Sequence, residues 1–215
     1  MNLPFRCALL LATLAWLPAA GAIEFKLTDS KGKPVADAVV SLVPLDTEAK
    51  LTPPAAPLEI AQRDQEFSPY VTAIVAGTSV SFPNRDTVQH HVYSISKPKK
   101  FELPLYSPGK SDVIVFDRPG VVMVGCNIHD WMNAYLVILA TPWFAQSDAS
   151  GAGAITGAPA GRYRAEVWHP RLGKPETRDV VLTGTSTPAA LAFTLALKPD
   201  RRIQRGSDRS GGGYK

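Results

Sequence analysis

Cys126, His129 and Met132 fall at three-residue intervals in Cys126-Asn127-Ile128-His129-Asp130-Trp131-Met132, which brings a thiol, an imidazole and a thioether into one short segment. These are the soft and borderline donors that hold a transition metal. The chain has two cysteines, and the other, Cys7, lies in an N-terminal stretch expected to be removed on export. An exported protein normally pairs its cysteines, so a solitary one implies a partner molecule, an inert burial or a metal. Taken singly, each residue has a plainer explanation: a buried cysteine packs as a small hydrophobe, and a histidine or methionine serves in a turn or a core. Together, at this spacing, they favour metal.

An ion cycling between Cu(I) and Cu(II) needs sulfur for one state and imidazole for both. Two histidines and a cysteine in trigonal array, with a weak axial methionine, serve both states with little movement. Cys126, His129 and Met132 supply three of the four ligands. A strand end delivers the thiolate, the turn after it the imidazole, and the start of the next strand the thioether. The fourth ligand must come from a neighbouring strand, because a metal held by one turn alone stands open to water. His90 and His91 are the candidates.

Asn84-Arg85-Asp86-Thr87-Val88-Gln89-His90-His91-Val92-Tyr93, with the distant Cys-x-x-His-x-x-Met loop, resembles the cupredoxin (blue copper) family, the plastocyanin and amicyanin type in particular. The resemblance covers residues 59–140 and includes Phe67-Ser68-Pro69, Gly77-Thr78-Ser79-Val80-Ser81-Phe82 and Gly120-Val121-Val122. It implies one copper ion held by His90, Cys126, His129 and Met132, with His90 six residues after Asn84, where that family has its first histidine ligand. Strand alternation also favours His90, since adjacent side chains leave a strand on opposite faces. Asn84 and His91 are expected to brace the ligands. His91 stands where the family usually has asparagine, which leaves it as a bracing donor, an alternative ligand or a tuning group. The whole arrangement is similar to exported cupredoxins catalogued under methylamine utilisation, which implies a periplasmic redox setting without fixing a substrate.

The elements that must position these ligands read as strands. Val, Thr, Pro and Gly are abundant and no long helical period occurs, so the expected class is all-β. Strands are predicted within 24–27, 38–43, 66–69, 71–75, 79–82, 91–94, 112–116, 121–126, 134–140, 163–168, 177–182 and 189–197. Such spacing implies a sandwich or barrel of antiparallel strands, and the cupredoxin resemblance implies a Greek-key β-sandwich. Residues 1–22 carry Arg6, a short apolar run and Ala20-Gly21-Ala22, the pattern of a secretory signal peptide. Residues 59–141 are the expected cupredoxin domain and 46–58 a Pro-rich linker, with 199–215 a disordered tail. Residues 23–45 and 142–198 resemble the carboxypeptidase regulatory-like (transthyretin-like) sandwich, chiefly in their turns, Thr28 to Pro34 and Asp148 to Gly151. A cupredoxin inserted in, or flanked by, that second sandwich is the expected architecture.

The formal charge of +4 falls to +3 with the signal peptide, too small a surplus to suggest nucleic acid, and no later segment reads as a membrane anchor. The expected function is a periplasmic mononuclear type 1 copper protein carrying single electrons between redox protein partners, with Trp131 an apolar rim near His129. Copper binding for delivery or protection is the alternative, and an interaction module with a structural metal a third. The chain is not expected to be an enzyme, since catalytic copper centres need more histidines than the four it has.

Overall fold

The computed structural model describes residues 21–183 and 190–200. The signal peptide, apart from Gly21 and Ala22, and the expected tail beyond Asp200 lie outside them. The described residues form strands and no helix. Where apolar and polar residues alternate, one strand face is buried: Ile23–Asp29 buries Ile23, Phe25 and Leu27, and Gly161–Trp168 buries Tyr163, Ala165 and Val167.

A five-stranded sheet runs in the order Val71–Val75, Asn133–Leu139, Gly120–Gly125, His90–Ser94, Phe101–Tyr106. It shares one apolar cluster with the three-stranded sheet Val113–Phe116, Thr78–Ser81, Leu58–Glu59. Phe82, Phe116, Leu136 and Ile138 are fully buried there, each contributing about 1.5–3 kcal/mol by leaving water. Two further sheets, Ala152–Ile155 with Ile23–Asp29 and Leu191–Leu195, and Phe144–Gln146 with Val39–Pro44, Gly161–Trp168 and Glu176–Leu182, enclose a separate cluster built on Phe25, Leu27, Leu42, Ile155, Tyr163 and Leu195. The two clusters meet through Val39, Val71 and Val137, flanked by Tyr135 against Trp168 with ring centroids 5.6 Å apart.

The sheets are not wholly antiparallel. Ile23–Asp29 with Leu191–Leu195, Leu58–Glu59 with Thr78–Ser81, and Val71–Val75 with Asn133–Leu139 pair parallel. Each joins segments separated by other strands, so no hairpin turn dictates their direction. The strands on either side of the Gly32 turn also part company. Asp29 Oδ1 accepts from Lys31 N and Lys33 N to close the turn, but Ile23–Asp29 and Val39–Pro44 then enter different sheets.

Some strands carry no strand signal in sequence. Phe101–Tyr106 contains Pro104, which is tolerated because this is the sheet's outermost strand. Ala152–Ile155 lies in a Gly/Ala run, and Gly153 is required there: a Cβ would sit 2.2 Å from Phe25 Cζ. The Pro-rich connection 46–58 lies against both units, Asp46 pairing with Arg162 and Pro53 packing over Gly77.

Candidate metal centre

His90 opens the strand His90–Ser94, in which His90, Val92 and Ser94 point inward while His91 and Tyr93 point outward. The strand is irregular at this end: His90 pairs with Tyr106 and Val92 with Leu103, leaving His91 on one side opposite Pro104 and Leu105 on the other. His90 is completely buried, its Nδ1 4.0 Å from Cys126 Sγ. Its Nε2 lies 3.0 Å from Asp86 Oδ2.

Cys126 follows directly on Gly120–Gly125, and Met132 directly precedes Asn133–Leu139, the antiparallel partner of that strand. The loop between them is closed by two backbone bonds, Met132 N to His129 O at 2.9 Å and Cys126 N to Met132 O at 3.3 Å. His129 is thereby turned back over the cysteine, Nδ1 3.7 Å from Sγ, with its ring 4.9 Å from that of His90. The ligating atoms of His90, Cys126 and His129 all lie within 4.8 Å of one another, the spacing of groups that can share an ion. Met132 is buried in the same apolar cluster as Cys126. A thiolate, two imidazoles and a thioether make a donor set suited to copper in both oxidation states.

Polar groups behind the ligands hold the two segments in place. Asn84 is buried: its Nδ2 donates to Val88 O and Tyr106 O, and its Oδ1 accepts from Asp86 N, so one side chain shapes the loop that leads to His90. Gln62 donates to Phe82 O and Tyr106 Oη, and Tyr106 Oη donates to Phe82 O. Burial pushes the Tyr106 hydroxyl up to about 12. Burial also raises the Asp86 carboxyl, but N–H groups of Gln65 and Thr87 and the His90 ring donate to it and together hold it below the usual carboxylate range.

His91 occupies the opposite face of the sheet, where its Nε2 lies 2.9 Å from Glu102 Oε1, and it contributes no atom to the group around Cys126. Trp131 stacks near His129, centroids 5.3 Å apart, and its Nε1 donates to Gln65 O. Ile128 is half exposed on the same loop and Asp130 is exposed. Lys99 pairs with Asp117, and His169 Nδ1 accepts from Arg171 N in the other sandwich. Asp86 and Gln65 carry no signal of their own in sequence. An aspartate four residues before a histidine is ordinary, and the turn at Asp64–Gln65 lacks the glycine that marks most tight hairpins.

No protein-family profile matches the chain, and no curated protein matches it. Among solved structures, a purple cupredoxin from Nitrosopumilus maritimus is 26% identical, with a TM-score of 0.35 over 38% of this chain and 99% of that one. A copper-containing nitrite reductase from Thermus scotoductus SA-01 is 27% identical, with a TM-score of 0.38 over 45% of this chain and 25% of that one. A reduced mutant of amicyanin is 13% identical, with a TM-score of 0.37 over 46% of this chain and 98% of that one.

Proposed function

We propose that this protein is a mononuclear type 1 copper protein of the cupredoxin kind, carrying single electrons between redox proteins in the periplasm. The observation that carries the reading is the convergence of His90 and His129 on Cys126 from separate segments, with Met132 buried in the same apolar cluster as Cys126. Copper bound there would supply a one-electron couple between Cu(I) and Cu(II). His90 and Cys126 are held by a packed core, which keeps water away and limits how far the ligands can shift. His129 is the half-exposed ligand, so its edge, bordered by Ile128 and Trp131, is the natural contact for an electron donor or acceptor.

In this reading residues 59–141 form the redox sandwich, inserted between Val39–Pro44 and Phe144–Gln146 of the other. Those two strands pair with each other, so the insertion leaves and re-enters at neighbouring points. Copper delivery, the alternative function, is disfavoured by the burial of His90 and Cys126, because exchangeable sites need accessible ligands.

The test is the absorption and spin-resonance spectrum of copper-loaded protein. Intense thiolate-to-copper absorption that bleaches on reduction is expected, whereas a colourless complex would sink the proposal. Copper passing to a chelator faster than electrons pass to a redox dye would instead select the delivery function.

A further inference from the structure

We infer that Asp86 is a positioning residue of the metal centre, which fixes the tautomer of His90 and biases the copper toward Cu(II), and that Asp64–Gln65 ties it to the loop carrying His129. The inference rests on the copper reading for its redox half and on geometry alone for the other. Asp86 Oδ2 lies 3.0 Å from His90 Nε2 and accepts from Gln65 N at 2.6 Å, while Oδ1 accepts from Thr87 N at 2.8 Å. Both carboxylate oxygens are thus oriented by backbone donors before the histidine is considered.

A neutral imidazole has one donor and one acceptor nitrogen. With Nε2–H donating to a carboxylate that cannot donate in return, the Nδ1 lone pair is left facing Cys126 Sγ, the orientation a metal ligand needs. The partner is an ion rather than a neutral carbonyl. Asp86 is nearly as buried as the ring it holds, with about a tenth of its side chain exposed, so its charge is only partly screened. A fixed negative charge behind a ligand stabilises the more positive oxidation state.

The same carboxylate is linked to the opposite side of the site through one residue. Gln65 donates its N–H to Asp86 and accepts at its carbonyl from Trp131 Nε1, so a single residue's backbone groups connect the His90 segment to the His129 loop. Asp64 and Gln65 are the two central residues of the hairpin joining Ala61–Arg63 to Glu66–Ser68, and both have positive φ, 55° and 59°. Glycine or asparagine would adopt that turn more easily. A glutamine kept in the left-handed region is held there by its surroundings, here the bonds on both sides of it.

The experiment begins with wild-type apoprotein, where nitrogen NMR of the neutral His90 ring should find the proton on Nε2. A proton on Nδ1 would overturn the inference. Asp86→Asn, which keeps the side chain's size and removes its charge, should retain the thiolate absorption and favour Cu(I) over Cu(II) about tenfold more than wild type. That is a rise of about 59 mV for one electron. A change of less than twofold would reduce Asp86 to a loop cap and overturn the tuning half. Asp86→Ala should mix the two tautomers and weaken Cu(II) binding about 10–100-fold. Failure of the copper reading shows separately, as wild-type protein without thiolate absorption. The redox half then falls, while the apoprotein tautomer still decides the positioning half.

Discussion

In the sandwich built on Phe25, Leu27 and Leu42, most of the buried polar side chains among the described residues are hydroxyls, and those of Ser147 and Thr141 bond to the backbone of the segment 38–42. Ser147 Oγ accepts from Ala38 N at 3.0 Å, and Thr141 Oγ1 donates to Leu42 O at 2.8 Å. In the sandwich that carries Cys126 the buried polar groups include Gln62, Asn84 and His90, which bridge several segments apiece. A hydroxyl has one donor, whereas a carboxamide has two donors and an acceptor with two lone pairs, so the amides act as junctions where loops must be held without regular pairing. One core is therefore stabilised almost entirely by apolar burial. The other gives up apolar volume at one end for a polar frame, and that frame stands directly behind the candidate ligands His90 and Cys126.

The contrast predicts different responses in the two regions. Copper at a thousandfold excess over its dissociation constant should raise the stability of the Cys126 sandwich by about 4 kcal/mol. The melting of the other should stay in place by calorimetry, and Cys126→Ser should abolish both the shift and the colour. A single transition moving as a whole would break the comparison. Leu42→Ala, at a fully buried position of the apolar core, should cost about 2–5 kcal/mol in denaturant unfolding while leaving the copper spectrum unaltered.

Tyr106 sharpens the comparison through pH. Its hydroxyl stays protonated in the fold up to about 12, whereas the unfolded chain releases that proton near 10, so between those values the folded state binds more protons and stability falls as pH rises. Unfolding followed from pH 9 to 12 should show wild type losing on the order of 2 kcal/mol more than Tyr106→Phe. Gly32→Ala should show the smallest effect, about 1 kcal/mol. The added methyl meets nothing within 4 Å, and only the positive φ of 76° resists it.

Much of this was legible along the chain. Alternation in Ile23–Asp29 and Gly161–Trp168 announced strands with one wet face, and the Cys126 loop announced a metal. The turns at Asp29 and Asp148 read clearly as well, because the same local chemistry operates in both: each carboxylate accepts from backbone N–H groups two and four residues later, and each turn ends on a glycine with positive φ. Phe101–Tyr106 was hidden by Pro104, and Ala152–Ile155 by its glycine, since both depend on a position in a sheet that no local pattern encodes.

What the sequence by itself determined was the inventory: which donors exist, their spacing in the 126–132 loop, and the two faces onto which His90 and His91 must fall, all consequences of covalent order and strand geometry. The tertiary structure alone decided which distant groups meet. The parallel pairings and the bridge through Gln65, which reaches Asp86 on one side and Trp131 on the other, join segments far apart in the chain. Such contacts are selected by the packing of whole sheets, where one buried carboxylate finds its partners only after both sides of the core have closed around it.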